Sequence, residues 1–373
     1  MSSETTHPGI PGRLRLGKPP LEVLERLFGA CDIRDPRVVV GPRVGEDAAV
    51  VDLGDRYLVA KVDPITFVAE EIGWYAVHIN ANDLAVRGAR PCWFLMTLLL
   101  PEGQADEKLL ESIFAQVQDA CHAIGATLVG GHTEVTQGLD RPILAGAMLG
   151  EVEKDRLVTT AGARPGDAVL LTKGIAVEGT SILARECDDL LADRGIPPDV
   201  RARARAFLHR PGISVLQDAT IAMDTVPVHA MHDPTEGGLA TGLLELALAA
   251  HVGLRIERAA IPVLAECRTL CHALGLDPLG VIASGALLLT CPPEQADRLV
   301  AAWEARGIAG SIIGTVTPPE AGLTLVGAEA AVPLPRFLRD EVARLFEEGP
   351  PPLRGAFASR PPEADGPVEA SHA

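Results

Sequence analysis

The sequence predicts an α+β protein of two domains, and three observations carry that reading. Its 373 residues suffice for two hydrophobic cores at about 150 residues each. Apolar residues at helical spacing alternate along the chain with short β-rich runs. Two of those runs are joined by Gly54-Asp55, a hairpin signal that argues against a doubly wound parallel sheet.

Leu21, Leu24, Leu27 and Phe28 follow Pro19-Pro20 at helical spacing and predict a first helix. Strands at 48–53 and 57–62 flank the hairpin. Ile72, Tyr75, Ala76, Ile79 and Val86 mark a helix over 72–86. An apolar strand over 92–100 is closed by Pro101-Glu102-Gly103, and a helix over 106–124 leads to strands at 127–129 and 143–149. Turn residues then cluster over 161–167 and place the domain junction. A first domain thus covers 19–158 and a second 159–348. Residues 1–18 form an N-terminal extension, and 349–373, with six prolines and little periodicity, reads as a disordered tail. In the second domain strands are predicted at 168–172, 227–231, 284–290 and 311–316, and helices at 176–187, 212–223, 237–250 and 294–306. No repeat of 20 to 50 residues occurs.

Composition narrows the function. With 50 acidic and 33 basic residues the net charge is −17, which repels a phosphate backbone and argues against nucleic-acid binding. The longest apolar stretch, 92–100, already contains Thr97 and falls far short of the roughly 20 residues that a membrane span needs. No apolar signal segment occupies residues 1–20, and seven scattered cysteines read as reduced thiols, which together predict a cytoplasmic protein. Cys267 and Cys271, beside His272, read as core residues on one helical face rather than half a metal site, because no second ligand pair has matching spacing. The arginines at 201, 203, 205 and 210 read as a solvated helix face, with a phosphate or partner contact as the alternative.

Several clusters join carboxylates or a cation to turn residues at element ends. Gly45-Glu46-Asp47 precedes a strand, where small residues let a ligand approach and a hard cation finds oxygens, although a plain turn has the same composition. Asp63 stands before Pro64, which is expected to end its strand and leave the acid at the mouth. Asn80, Asn82 and Asp83 lie inside an apolar helix, where they are costly to bury unpaired; an exposed polar face is the other reading. At Gly130-Gly131-His132-Thr133 a strand runs into a glycine turn whose N–H groups suit phosphate. Asp233-Pro234-Thr235-Glu236-Gly237-Gly238 opens a helix, with Asp233 or Thr235 as its cap and an anion site at its start, or simple capping. Lys173 is a candidate phosphate contact or an ordinary surface lysine. Taken together, acids at 47, 63, 83 and 233 with glycine turns at 130–131 and 237–238 suit Mg²⁺ bridged to substrate phosphates. Neither a Walker loop nor a dinucleotide fingerprint nor a nucleophile elbow is present, so bound ATP would be held by an acid-rich, glycine-turn scheme.

These motifs occur in a telling order: GEDAAV from Gly45, VD at 62–63, NANDLAVRGARP from Asn80, LVGGHTE from Leu128 and HDPTEGGLA from His232. The chain from about Leu16 to Leu345 resembles the aminoimidazole ribonucleotide (AIR) synthase, or PurM-like, superfamily, closest in tone to its HypE-like branch. Selenophosphate synthetase and thiamine-monophosphate kinase are other members. The resemblance implies an N-terminal AIR-synthase domain whose sheet dimerises, a C-terminal α/β AIR-synthase domain, a homodimer and Mg-ATP in the cleft. It implies Asp47, Asp63 and Asp83 as magnesium ligands and Asp233 near the phosphates. Gly130, Gly131 and Thr133 would touch nucleotide, and Lys18 matches the N-terminal lysine of selenophosphate synthetase. Asn82, Lys173, Thr235, Gly237 and Gly238 complete the expected nucleotide contacts, and Asp83, His132 and Asp233 the catalytic set, with His132 as acid or base.

The departures shape the expected activity. HypE carries a C-terminal cysteine, whereas the last cysteine here is Cys291, and Glu134 stands where the HypE motif has lysine. Carbamoyl dehydration on its own tail is therefore not expected. Arg15-Leu16 replaces the cysteine-containing segment of selenophosphate synthetase, and His132 stands where thiamine-phosphate kinases usually carry aspartate. The expectation is an enzyme that uses ATP to phosphorylate or activate an oxygen of a small substrate. The alternative is a nucleotide-binding hydrogenase-maturation accessory that works with a partner protein; a structural domain without ligand explains the ordered motifs poorly.

Overall fold

The computed structural model describes residues 14–349, so the expected tail and most of the N-terminal extension lie outside the described residues. The helix at Leu21–Gly29 (α1) forms as its spacing predicts, but buries none of its residues. Six strands make the first sheet: β1 (Val38–Val40), β2 (Ala49–Asp52), β3 (Arg56–Ile65), β4 (Arg90–Pro101), β5 (Thr127–Thr136) and β6 (Ile143–Glu153), in the order β1-β2-β3-β6-β4-β5. The β2–β3 hairpin is antiparallel, as Gly54-Asp55 predicts. Only β4 and β5 pair in parallel, joined by α3 (Glu107–Ile124), which Asp106 caps by accepting from the Leu109 N–H.

Two strand ends differ from the sequence expectation. Pro64 does not end β3, which stays in register with β6 through Ile65. Because β2 pairs only as far as Ala60, the other edge of β3 is bare from Lys61 onward. Nor do Gly130 and Gly131 make a turn: β5 runs through both to Thr136. Gly131 has φ +149°, and a Cβ there would sit 1.9 Å from the Met96 carbonyl oxygen. The glycine thus serves the close approach of β5 to β4, and a strand edge takes the place of the expected phosphate-binding turn.

The second sheet comprises β7 (Ala168–Thr172), β8 (Ala230–His232), β9 (Gly253–Glu257), β10 (Leu288–Cys291), β11 (Gly310–Thr317), β12 (Leu323–Val326) and β13 (Ala331–Pro333), in the order β13-β12-β9-β11-β7-β10-β8. The expected strand at 284–290 is shifted to β10, and β9, β12 and β13 are short runs the sequence did not distinguish from loops. Helices α4 (Val177–Glu186), α7 (Leu216–Thr225), α8 (Gly238–Ala250) and α10 (Pro293–Glu304) match predicted segments. Two more were not read as helices, α5 (Asp188–Asp193) and α11 (Glu341–Glu348), while α6 (Pro198–Arg205) and α9 (Ala265–Leu274) were expected only as helical faces around the arginines and around Cys267 and Cys271. Cys267 and Cys271 do lie buried on one helix, α9.

The helix that joins the two halves is α2 (Ile72–Ala85), buried along nearly its whole length. One continuous core runs from Ile72 and Val77 on α2 to Val177 and Leu183 on α4. Ala85 and Val86 pack into a second cluster with Leu170 and Leu289 of the second sheet. The exposed-face reading of α2 is thereby excluded. Asn80, Asn82 and Asp83 are buried, and each needs a partner.

Candidate active site

Asn80 uses the bare edge of β3. Its side chain accepts from the Asp63 N–H at 2.8 Å and donates to the Asp63 carbonyl at 3.1 Å, replacing the missing strand neighbour. Gly146, opposite Asp63 on β6, makes room, since a Cβ there would lie 2.7 Å from the Asn80 amide nitrogen. Asp63 is thus held by its backbone with its carboxylate free to face the seam between the domains.

Lys61, two residues back and on the same face, reaches Asp63 at 3.3 Å and Asp83 of α2 at 3.2 Å. Burial works against its charge, but Asp83, Asp63, Asp47 and Asp233 together hold it protonated. Asp47 accepts from Arg87 at 2.7 Å and from His232 of the second domain at 2.8 Å. Arg87 is fully buried and also binds Glu46 at 2.8 Å and the Thr160 hydroxyl at 2.6 Å. The far nitrogen of His232 lies 3.1 Å from Glu245 on α8, and Lys18 caps that carboxylate at 2.8 Å. Burial opposes the His232 charge, yet Asp47 and Glu245 lift its pKa to about 10, so both ring nitrogens donate at neutral pH. Burial likewise opposes ionisation of Asp47, but His232, Arg87 and Lys61 outweigh it and hold the carboxylate below its usual range.

Asp233 and Asp83 stand differently. Both are buried, and neither oxygen of Asp233, nor Oδ2 of Asp83, has a hydrogen-bond partner among the described residues. Burial, followed by the charge of Asp47, pushes Asp233 up to about 8; burial also raises Asp83, with the charge of Asp233 added to it. Ligand atoms of Asp47, His232 and Asp233 fall within 4.8 Å of one another, though His232 already donates to two carboxylates. Bare carboxylate oxygens facing one another in a buried seam are the donor set of a hard divalent cation, so these residues fit magnesium.

The expected nucleotide contacts divide. Lys18 is at the cluster, its ammonium on Glu245 and its N–H on Glu236. Asn82 is a tie between domains: its amide donates to the Ile213 carbonyl and its oxygen accepts from the Val215 N–H, so both polar atoms are engaged in the fold. Lys173 is buried rather than presented to phosphate, its ammonium directed at the Gly212 and Ser214 carbonyls and Asp218. At the start of α8 the N-cap is Gly237, not Asp233 or Thr235. The Gly237 N–H donates to Asp340 and the Gly238 N–H to the Thr235 carbonyl, so an internal carboxylate already sits where an anion was expected.

Gly130, Gly131, His132 and Thr133 lie on the outer strand. Asp63, Gly146, Met96 and Gly131 form one row across the sheet, so Gly131 is three strand spacings, about 14 Å, from Asp63. His132 is exposed and pairs with Glu134 at 3.0 Å; no hydrogen bond or ion pair among the described residues joins it to the acids.

Arg87, His232 and Glu245 were missed as site residues, and Lys61 and Asn80, although they belong to the clusters around Asp63 and Asp83, were given no role. Arg87 and His232 stood inside quoted motifs, which was a signal; Glu245, in a smooth apolar helix, showed only as one carboxylate on its buried face.

Family models match most of the chain: AIR synthase related protein, N-terminal domain, over 45–152, and its C-terminal domain over 164–325. A hydrogenase expression/formation protein of Methanocaldococcus jannaschii is 32% identical over 293 residues, covering 76% of this chain and 83% of that protein. Carbamoyl dehydratase HypE of Azotobacter vinelandii is 35% identical, over 69% of this chain and 73% of its own length. A crystal structure of the hydrogenase maturation protein HypE in complex with ATP superposes with a TM-score of 0.62 at 26% identity, over 85% of this chain and 96% of that one.

Proposed function

This chain belongs to the AIR synthase related family, in its HypE-like branch, and from that premise we propose that it binds Mg-ATP at the seam between its domains and uses it to phosphorylate or activate an oxygen of a small substrate. The observation that carries the proposal is the set of buried carboxylate oxygens on Asp83 and Asp233 that no group among the described residues satisfies. Asp47, Asp63 and Asp83 would hold magnesium, with Asp233 closing the set from the second domain. Magnesium bound there supplies charge neutralisation between an acidic protein and a triphosphate. The chain's own part is positioning. Asn80 fixes the backbone of Asp63, Arg87 and His232 orient Asp47, and Lys61 places a permanent positive charge beside Asp63 and Asp83.

The GGHT segment fits this reading as the far end of the nucleotide site, an extended molecule's reach from the acids. It also supports a homodimer. β5 is an unpaired edge whose Val129 and Val135 are 50% and 58% exposed, the kind of edge that another sheet covers. His132, as acid or base, would then act beside the second copy. No helix among the described residues is long and apolar enough to cross a membrane.

The test is to follow thermal stability and phosphate release with Mg-ATP and candidate metabolites. Stabilisation by Mg-ATP but not by ATP with a chelator is expected, with turnover on one acceptor. Absence of binding at millimolar Mg-ATP refutes the proposal, and binding without turnover on any acceptor replaces the enzyme with a nucleotide-binding accessory.

A further inference from the structure

A second pair of unsatisfied groups lies outside the metal cluster. Glu178, in the first turn of α4, is 3% exposed and its Oε2 has no partner; Ser284 is wholly buried and its Oγ has none either. The backbone holds them side by side. The Glu178 N–H donates to the Ser284 carbonyl at 3.1 Å, and the Gly179 N–H to the Ile282 carbonyl at 3.1 Å. A Cβ on Gly179 would lie 2.3 Å from a Val281 methyl, so this contact is built for glycine. The single hydroxyl proton of Ser284 can serve one carboxylate oxygen at most, so a carboxylate buried here stays short of donors unless a third group joins the pair.

The surroundings say what kind of group. Burial pushes Glu178 up to about 7 against the nearby Ser284 hydroxyl, and the charges of Glu236 and Asp63 raise it further. Glu178 in turn adds to the burial that raises Asp340. Glu178 therefore sits at the seam, near enough to Asp63 and Glu236 to feel their charge, with its own Oε2 short of a donor. A further carboxylate there would add repulsion, whereas a group carrying N–H hydrogens supplies the missing donor.

We propose that Glu178 and Ser284 form the acceptor end of the site and hold an amino or guanidino group of the small substrate. The role as acceptor end rests on the Mg-ATP reading above; the preference for a nitrogen cation rests on this pair alone. Glu178 accepts the N–H bonds, and Ser284 accepts one more or turns its hydroxyl toward a neighbouring oxygen of the ligand.

The test uses methylammonium as probe and tetramethylammonium, a cation without N–H groups, as control, each titrated by thermal shift in the presence of saturating magnesium and a non-hydrolysable ATP analogue. Methylammonium should stabilise the wild type beyond the control. Its apparent affinity should fall at least tenfold in Glu178→Gln and in Ser284→Ala, with the shift caused by the nucleotide analogue retained in both. Equal responses to the two cations in the wild type, or an undiminished preference in both variants, would overturn the proposal. Loss of the nucleotide shift in the wild type with the cation preference intact would instead count against the Mg-ATP reading.

Discussion

His232 of the second domain donates to Asp47 of the first across 2.8 Å, a buried ion pair that ties one half of the acidic site to the other. Glu245 and Arg87 complete the chain on either side, so removing the imidazole leaves two buried carboxylates short of a counterion. His232→Ala is expected to cost about 3–5 kcal/mol, the range for breaking a buried pair from one side. Urea unfolding of the apo protein measures it. A loss below about 1 kcal/mol would mean that solvent reaches this seam.

The metal reading makes an opposite prediction for the neighbouring acid. Asp233 has no hydrogen-bond partner among the described residues and burial opposes its ionisation, so Asp233→Asn replaces a group that is costly to charge there and should leave apo stability equal or higher. The same variant should lose the stabilisation by Mg-ATP that the wild type shows. Calorimetric titration of magnesium and ATP checks this. Unchanged binding in both Asp233→Asn and Asp83→Asn would remove the carboxylates from the metal site.

Two asparagines two residues apart on α2 have different tasks, and mutation should separate them. Asn82→Ala strips partners from the buried Ile213 carbonyl and Val215 N–H and is expected to destabilise by about 2–4 kcal/mol. Asn80→Ala instead frees the backbone of Asp63, so its larger effect should be on magnesium affinity. Parallel measurements of unfolding and metal titration would show this contrast, and identical profiles for the two variants would contradict it.

The unequal legibility of the sequence follows from the range of the contacts involved. Apolar spacing reported α2 and α3 because their periodicity is local, and the hairpin was legible in its two turn residues. The cost of burying Asn80, Asn82 and Asp83 was also readable, but whether α2 was buried depended on a second domain packing over it. Gly130 and Gly131 look the same in sequence whether they make a turn or let β5 approach Met96. Asp340 reaches the Gly237 N–H from 103 residues away, so no local signal could show that the start of α8 already had its acceptor. Lys61 and Asp63 are two apart on a strand, which places them on one face; only the fold brings Asp83 to the same ammonium.

If β5 is a dimer edge, charge placed on it should disperse the dimer without touching the fold. Val135 is 58% exposed and faces no core, so Val135→Lys should be neutral for monomer stability, within about 0.5 kcal/mol. Sedimentation velocity should find the wild type dimeric and the variant shifted toward monomer. A wild type that sediments as a monomer at micromolar concentration would rule out this edge as an obligate interface.

His78 contributes to the loss of stability in acid. It is buried on α2, its ring stacked on Trp74 at 4.3 Å and its Nδ1 3.0 Å from the Trp74 carbonyl. Burial lowers its pKa to about 4; the Trp74 carbonyl resists that shift, and the charges of His209 and Lys173 reinforce it. In the unfolded chain the same group titrates near 6.5. Between about 4 and 6.5 the unfolded state therefore binds more protons than the folded one, and stability falls as pH drops through that window. The stabilisation is complete above about 6.5, and its loss by pH 4 approaches about 3 kcal/mol. His78→Phe keeps the stacking, gives up one hydrogen bond and cannot titrate. Its deficit against the wild type should thus shrink as unfolding is measured at pH 7, 6, 5 and 4.5. Parallel stability curves for the two proteins would show that the imidazole protonates as readily in the folded state as in the unfolded one, through an opening of α2 that admits water.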